Sequence, residues 1–393
     1  MKITIHRGTH QIGGISTEIS TEKARIIIDM GQELSLDSDF ESSSLSIDGV
    51  TNLNGGCDAV LLTHYHGDHV GQISNVRKDI QIYSGPLAKE IMLKSAIHKK
   101  TPDAAFCQRI KGINTFVGGE RLYYGDICVT PFSIDHSACD SYMFLIEGEG
   151  KRVLYTGDFR MHGFRGKAIP KILGAIGKID ALIIEGTMLS RKDGADITER
   201  ELQQRLKAYM QKFKYVHILC SSTNLERICA FSCAVPKGKY FVCDEYQSEL
   251  LELIKDHWQK HSPLYRNIKK TVYGDNILPK LQKQGFVMVV RDNKRFREII
   301  KKFDPEQSII LYSMWDGYRT KDNSTIQDFL NIIGNWEPLH TSGHASKKDI
   351  CKVINMTKPN VVIPMHTENP SALKEICPRA SIYIPTDKEQ III

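Results

Sequence analysis

A cluster of three histidines and one aspartate lies within six residues, directly after a short apolar stretch. The stretch Ala59-Val60-Leu61-Leu62 predicts a buried strand. The cluster that follows it is His64, His66, Asp68 and His69. Imidazole and carboxylate groups are the ligands that a zinc-type cation takes, and a four-coordinate site needs several of them to converge. Residues two apart on an extended chain point to the same side, and the intervening glycine allows a sharp turn. The stretch therefore predicts a metal site rather than a polar loop that contains histidines by chance.

Four further apolar stretches end in the same way. At their C-terminal ends they carry His136, Asp158, Glu185 and His366. One such residue would mean little, because a lone histidine at a strand end is usually structural. When the same placement recurs on strands that pack together, it predicts one edge of a sheet lined with ligands, held by a rigid scaffold.

The predicted secondary structure divides the chain into three parts. Strands that end in candidate ligands occur in 1–189 and 339–393, whereas 190–338 alternates helix and strand. Such alternation predicts a parallel sheet with crossover helices. A chain of 393 residues is also longer than one ordinary core supports. We therefore expect an α/β protein in which 190–338 is inserted into a first domain made of 1–189 and 339–393.

The composition favours a soluble globular protein of the cytoplasm, without membrane association. Hydrophobic residues make up 41% of the chain and charged residues 25%. No run approaches the ~18 apolar residues that span a membrane, and the first residues lack the apolar core of a signal peptide. The ten cysteines contain no Cys-x-x-Cys pair, which favours reduced thiols.

The positive charge is concentrated in one segment of the predicted insertion. Residues 251–302 contain thirteen basic and five acidic residues, a local excess of eight, whereas the whole chain carries +6. A solvated helix face and a polyanion-binding surface are about equally good interpretations of this segment.

The motifs resemble those of the β-CASP branch of the metallo-β-lactamase superfamily, and the catalytic core of the bacterial ribonuclease J family is the nearest likeness. The residues that carry the resemblance extend over the chain: Asp29, His64-x-His66-x-Asp68-His69, His136, Asp158, Glu185, His344 and His366. The resemblance implies a metallo-β-lactamase αβ/βα sandwich with an inserted α/β β-CASP domain. It also implies a zinc-dependent phosphodiester hydrolase that acts on RNA as an endonuclease, a 5′→3′ exonuclease or both.

The resemblance further implies two Zn²⁺ ions and a ligand set for each. One ion would be held by His64, His66 and His136, and the other by Asp68, His69 and His366, with Asp158 bridging them. Mn²⁺ is an alternative, because a site of His and Asp without thiolate also accepts it.

The same family pattern implies the catalytic roles. The metal pair would activate a shared water for attack on phosphorus, and His344 would stabilise or protonate the leaving oxygen. Glu185 would orient His344, and Asp29 would support the histidine loop by hydrogen bonding. The residues that we assign to catalysis are thus Asp68, Asp158, Glu185 and His344.

Single-stranded RNA is the partner that the resemblance implies. In the family, a histidine at the position of His366 goes with RNA processing, whereas DNA-repair members commonly have valine there. The predicted substrate-binding residues are Ser221, Ser222, Asn224, Arg227, His340, Ser342 and Gly343. Without the resemblance, the segment from Ser221 to Asn224 would be interpreted as a plain helix cap.

Two departures from the family pattern bear on this expectation. Ribonuclease J carries a further C-terminal domain that supports dimerisation, and this chain ends at Ile393 without one. The oligomeric state, monomer or homodimer, is therefore open. Residues 312–319 replace a Ser/Pro-Gly-Asn-Glu type of stretch, which puts 5′-end recognition in question. Within them, Trp315 and Tyr318 are compatible with base stacking and equally with a place in the core.

Two other functions compete with a ribonuclease. One is a metallo-hydrolase of DNA or of a small phosphoester, and the other is a catalytically silent RNA-binding subunit. The intact ligand set argues against the silent subunit. The inserted domain and the basic segment argue against a small substrate.

Overall fold

The computed structural model describes residues 1–34, 43–191, 197–322 and 324–393, and within them the strands form three sheets. Before the predicted insertion the strands are β1 Lys2–Arg7, β2 Ser16–Ser20, β3 Arg25–Ile28, β4 Ala59–Leu61, β5 Gln81–Ser84, β6 Asn114–Thr115, β7 Leu122–Tyr124, β8 Ile127–Ile134, β9 Ser141–Gly148, β10 Lys151–Tyr155 and β11 Ala181–Glu185. Those that follow are β12 Tyr215–Leu219, β13 Tyr240–Cys243, β14 Thr271–Val272, β15 Phe286–Val290, β16 Ser308–Tyr312, β17 Trp336–Pro338, β18 Val361–Met365 and β19 Gln390–Ile392.

The helices lie between and around these strands. They are α1 Gly67–Val70, α2 Pro86–His98, α3 Ala104–Lys111, α4 Ile169–Ile176, α5 Glu199–Lys212, α6 Leu225–Ala234, α7 Glu245–Trp258, α8 Pro263–Arg266, α9 Leu278–Gln284, α10 Lys294–Ile300, α11 Gly317–Thr320, α12 Ile326–Leu330, α13 Lys347–Thr357 and α14 Ala372–Ile376. None of the helices in the described ranges is both long and apolar enough to cross a membrane.

Two of the sheets pack face to face as a sandwich. The first has the order β19-β1-β2-β3-β4-β5-β6 and the second has the order β18-β11-β10-β9-β8-β7. Their inner faces share one apolar core, in which Ile26 and Leu61 of the first sheet pack with Phe144 and Ile183 of the second. Helices α4 and α13 cover the outer face of the second sheet. The expected α/β sandwich is confirmed.

The third sheet lies in the predicted insertion and is entirely parallel. Its order is β14-β13-β15-β12-β16-β17. The strands after it return to the sandwich, because β18 pairs with β11 and β19 pairs with β1. An inserted parallel sheet is therefore confirmed, while the boundaries at 190 and 338 stay predictions.

One expectation about the cysteines is wrong. Cys351 of α13 and Cys377, directly after α14, form a disulfide with their Cα atoms 6.1 Å apart. The other eight cysteines are free. The two partners are 26 residues apart in sequence, so no local pattern identifies them. They meet because the chain turns back along the sandwich after β18.

Candidate metal centre

The predicted ligands converge at one edge of the sandwich. His64, His136, Asp158, Glu185 and His366 each lie at the end of a strand or within three residues after it. Strand β4 belongs to the first sheet and strands β8, β10, β11 and β18 belong to the second, and the packing of the two sheets brings their C-terminal ends to one edge. Among the described residues, three groups have ligand atoms within 4.8 Å of one another, and the last two groups share Asp158 and His366. They are His64-His66-His136, Asp68-His69-Asp158-His366 and Asp158-Glu185-His344-His366.

The first group, here called the histidine cluster, has the spacing of a tetrahedral site. His66 Nδ1 lies 3.2 Å from His64 Nε2 and 3.3 Å from His136 Nε2. Zinc–nitrogen bonds of about 2.0–2.1 Å in a tetrahedron place the nitrogens about 3.3–3.4 Å apart. Burial, as the largest cause, lowers the pKa of His66 to about 4, and it also holds the pKa values of His64 and His136 well below the ordinary value. The three imidazoles are therefore neutral, as metal ligation requires.

The second group, here called the aspartate cluster, contains buried polar atoms without partners. Among the described residues, neither carboxylate oxygen of Asp158 has a hydrogen-bond partner, and neither does His69 Nε2. His69 Nε2 lies 3.3 Å from Asp158 Oδ2, and His366 Nε2 lies 3.1 Å from Asp68 Oδ2. Buried polar atoms are normally satisfied. A bound cation would satisfy these atoms, so both clusters fit a metal ion.

The charges of the aspartate cluster also favour a cation. Burial opposes ionisation of Asp68, but His69 and His366 hold the pKa of its carboxyl well below the usual range. Burial likewise opposes protonation of His69, but Asp158, Asp29 and Asp68 raise its pKa well above the ordinary value. Three carboxylates thus lie around His69, and a divalent cation would take the place of the proton that they stabilise on its ring.

Neighbouring residues orient the candidate ligand rings through hydrogen bonds to the second nitrogen of each ring. Asp29 accepts hydrogen bonds from His69 Nδ1 at 2.8 Å and from the backbone and hydroxyl of Thr63, both at 2.8 Å. These contacts are the ones that the predicted supporting role of Asp29 needs. His366 Nδ1 is hydrogen-bonded to the Thr187 hydroxyl at 2.7 Å. Such outer contacts fix the ring orientation and the tautomer of a metal ligand. Sequence reasoning missed Thr187, although it stands two residues after Glu185.

Glu185 and Asp158 differ in a way that separates their roles. The Glu185 carboxylate accepts hydrogen bonds from the backbone N–H groups of Phe159, Thr187 and Ala345, at 3.1–3.2 Å. It also accepts one from His344 Nδ1 at 3.3 Å. Its oxygens thus accept hydrogen bonds from the protein, whereas neither Asp158 oxygen has a hydrogen-bond partner within the described ranges. This difference favours Asp158 as a ligand and Glu185 as an anchor.

His344 is more exposed than four of the five histidines of the two clusters. Its side chain is 19% exposed, while those of His64, His69, His136 and His366 are fully buried. Burial lowers the pKa of His344, but the carboxylates of Glu185 and Asp158 outweigh burial and raise it. The ring can therefore offer a proton toward the open side of the site.

Arg227 occupies a different environment from the one that substrate binding suggests. It is fully buried, and its guanidinium donates to both oxygens of Glu199, with contacts of 2.6–3.0 Å, and to the carbonyls of Thr341 and Ser313. Arg160 donates to the same Glu199 at 2.6 Å and to Asp135 at 2.7 Å. Arg227 thus links the inserted part to the loops that carry His136 and Asp158, without a free face for a substrate.

The remaining predicted substrate-binding residues divide into two sets. His340, next to Arg227, has its pKa lowered to about 3, mainly by burial, and Gly343 O accepts from His136 Nδ1 at 2.6 Å. Ser342 Oγ accepts from the His344 backbone at 3.0 Å. The other set, Ser221, Ser222 and Asn224, follows β12 at the C-terminal edge of the parallel sheet. Asn224 Oδ1 is buried there without a partner among the described residues.

The basic segment 251–302 is partly neutralised in the fold. Arg295 pairs with Glu245 at 2.9 Å, Lys302 with Asp275 at 2.7 Å and Arg297 with Asp292. These pairs strengthen the interpretation as a solvated face, and RNA contact by the segment stays a prediction.

A separate cleft of about 900 Å³ has Arg165, Arg200 and Lys269 in its lining and does not include the metal clusters.

Comparison with known families agrees with this geometry. Residues 41–211 match the family model described as a beta-lactamase superfamily domain. Residues 332–375, which include His340, His344 and His366, match the model described as a Zn-dependent metallo-hydrolase RNA specificity domain.

Similar proteins extend the comparison to the whole chain. Ribonuclease J of Helicobacter pylori is 21% identical over an alignment that covers 100% of this chain and 60% of that protein. Ribonuclease J of Mycoplasma genitalium is 19% identical over 93% of this chain and 68% of that protein. The chain thus spans about 60% of the length of the first of these relatives.

A solved structure shares the fold. A protein of unknown function from Enterococcus faecalis superposes with a TM-score of 0.80 at 20% identity, over 100% of this chain and 99% of that one. Residues 41–211 thus belong to the metallo-β-lactamase superfamily, residues 332–375 form an RNA specificity domain of the β-CASP type, and the chain is distantly similar to ribonuclease J over its whole length.

Proposed function

We propose that this metallo-hydrolase is a zinc-dependent ribonuclease that cleaves phosphodiester bonds of single-stranded RNA. The observation that carries the proposal is the placement of His344, partly exposed, beside two metal-type clusters and within the segment that matches an RNA specificity domain. The β-CASP domain would span 190–338. Endonucleolytic and 5′→3′ exonucleolytic cleavage are both compatible with this site, as are a monomer and a homodimer.

Two Zn²⁺ ions are the proposed cofactors, with Mn²⁺ as the alternative. The histidine cluster would hold one ion and the aspartate cluster the other, with Asp158 in reach of both, because His64 Nε2 and His136 Nε2 lie 4.0 and 3.9 Å from its Oδ2. Such ions lower the pKa of a bound water and neutralise phosphate charge. The protein contributes the orientation of the rings, through Asp29, Thr187 and the carbonyl of Gly343.

His344 is the proposed proton donor to the leaving oxygen. Its Nδ1 is hydrogen-bonded to Glu185, which leaves Nε2 for the substrate. The raised pKa keeps the ring protonated nearer to neutral pH, which is what a general acid needs. Glu185 is a positioning residue, because three backbone N–H groups fix its carboxylate.

The proposal is tested by cleavage of end-labelled RNA by the purified, metal-loaded chain. Single-stranded RNA with a 5′-monophosphate or a 5′-hydroxyl, the matching DNA strand and a small phosphodiester are compared. His344→Ala should lower the RNA cleavage rate by ~100-fold or more, the range for a lost general acid or charge-stabilising donor, without loss of bound metal. His261→Ala, an exposed histidine of the inserted part, is the matched control.

Each alternative function has its own outcome in this assay. Cleavage of DNA or of the small ester, with RNA left intact, would show that the substrate is one of these molecules rather than RNA. Binding of RNA without hydrolysis of any substrate would indicate a silent subunit. Loss of a metal ion from His344→Ala would make His344 a ligand rather than a proton donor.

A further inference from the structure

An aromatic and arginine group lies at the C-terminal edge of the inserted sheet. It consists of Arg191, Trp315 and Tyr318 and is called the Tyr318 platform below. The Arg191 guanidinium lies 4.2 Å from the Trp315 ring centroid, and the Trp315 and Tyr318 rings meet edge to face with centroids 5.4 Å apart. Tyr312, the last residue of β16, donates its hydroxyl to the Trp315 carbonyl at 2.7 Å. This hydrogen bond holds the platform at the C-terminal end of a core strand.

The sequence between the two aromatic residues fits this arrangement. A Cβ atom at Gly317 would lie 2.3 Å from the Trp315 ring, so the ring packs directly on the Gly317 backbone. Trp315 is half-buried, with Arg191 on one face and Tyr318 at its edge. Tyr318 itself is 44% exposed. Trp315 and Arg191 thus support a tyrosine ring that is open to solvent.

The Tyr318 platform borders the metal centre on the side of His344. Arg191 Nη1 lies 3.9 Å from Met188 Sδ, and the Ser342 hydroxyl lies 3.4 Å from the same sulfur. Ser342 in turn accepts the backbone N–H of His344.

We propose that Tyr318 is a stacking platform for one nucleobase of single-stranded RNA whose backbone passes through the metal centre. Arg191 would contact a neighbouring phosphate, and Trp315 would hold both side chains in place. An exposed aromatic ring beside an arginine is the arrangement that binds unpaired nucleotides without sequence preference. The inference rests on the proposed function and adds a subsite to it.

The test measures binding separately from cleavage. The ligand is a fluorescent RNA strand of mixed sequence with phosphorothioate linkages that slow hydrolysis, and affinity is followed by anisotropy on the full chain with metal. A second strand has the same backbone but lacks its bases. Tyr318→Ala should weaken binding of the first strand by about 5- to 100-fold, the usual effect of losing one stacked base. It should leave binding of the baseless strand unchanged.

Two variants serve as controls, and a third tests whether Trp315 supports the Tyr318 ring. Tyr318→Phe keeps the ring and should bind within about twofold of the wild type. Tyr123→Ala removes an exposed tyrosine from β7, where the side chain is 67% exposed, and should have no effect. Gly317→Ala, which displaces the Trp315 ring, should weaken binding less than Tyr318→Ala does.

Three results with the variants would overturn the inference. They are wild-type affinity of Tyr318→Ala for the base-containing strand, an equal loss on the baseless strand, and a loss in Tyr318→Phe as large as in Tyr318→Ala. A wild-type chain that binds neither strand would overturn it as well. If the chain binds RNA through Tyr318 but cleaves no substrate, the proposed ribonuclease activity is refuted and the inference about base stacking on Tyr318 is supported.

Discussion

A buried histidine of the inserted parallel sheet allows a quantitative prediction about the pH dependence of stability. His217 of β12 is fully buried beside the rings of Phe286 and Phe303, with centroids 5.2 and 6.0 Å away. Neither ring nitrogen has a hydrogen-bond partner within the part of the chain that the structure describes. Burial alone lowers its pKa from the ordinary 6.5 to about 3. The imidazole therefore stays neutral in the folded protein.

The sign of the pH effect follows from linkage. The unfolded chain binds a proton at His217 near pH 6.5 and the folded chain does not until about pH 3. Protonation of His217 in the unfolded chain therefore leaves the free energy of unfolding unchanged above pH 6.5 and lowers it as the pH falls below that value. Each pH unit in this window removes ~1.4 kcal/mol, so the loss from pH 7 to pH 5 is about 2 kcal/mol.

His217→Leu should remove this pH dependence and also stabilise the fold at pH 7. Two unsatisfied polar atoms are replaced by apolar ones, which contributes about 1–2 kcal/mol at neutral pH. The stability gap between the variant and the wild type should then widen by about 2 kcal/mol at pH 5. Urea unfolding followed by circular dichroism at both pH values measures the gap.

A neighbouring core substitution gives the matched control. Ile218→Val on the same strand should lower stability by about 1 kcal/mol, equally at both pH values. If His217→Leu behaves like Ile218→Val, or if its gap to the wild type does not change with pH, the imidazole is paired in the folded protein and the reasoning is wrong.

Three further variants test how the site is held. Gly343→Ala should weaken metal binding by the histidine cluster, because its Cβ would lie 2.5 Å from Ser137 Oγ and disturb the carbonyl that holds His136; metal analysis after dialysis measures this. Glu199→Gln should destabilise the chain by about 3–5 kcal/mol, since Arg160 and Arg227 lose a shared buried carboxylate, as thermal unfolding would show. Thr187→Val should lower affinity for the second metal by about 10- to 100-fold, because His366 Nδ1 loses its partner, and a metal titration tests it. Unchanged metal content in Gly343→Ala and Thr187→Val, or unchanged stability in Glu199→Gln, would contradict these roles.

The convergence of the candidate ligands was predictable because it depends on strand ends. An apolar run followed by His, Asp or Glu is visible locally, and the packing of strands that run in the same direction brings such ends to one edge of the sandwich. His64, His136, Asp158, Glu185 and His366 therefore meet as expected. The assignment of each to a metal came from family resemblance, and it remains a prediction.

What the sequence does not reveal are contacts between distant parts of the chain. In its Ser-Ser-Thr-Asn-Leu-Glu-Arg stretch, Arg227 resembles a phosphate-binding residue. In the fold its guanidinium instead donates hydrogen bonds to Glu199, which lies 28 residues earlier. Thr187 gains meaning only when His366, 179 residues later, packs against it. The pairing of Cys351 and Cys377 likewise depends on how α13 and α14 lie on the sandwich.

Metal titration of RNA cleavage tests the central claim most directly. The chain is freed of metal with a chelator, Zn²⁺ or Mn²⁺ is added back, and single-turnover cleavage of single-stranded RNA is measured at each step. Two adjacent clusters, the histidine cluster and the aspartate cluster, predict that cleavage is absent without metal and saturates near two equivalents per chain. Full cleavage by the metal-free chain, or no cleavage at any metal content, would contradict the claim that these clusters form a ribonuclease centre.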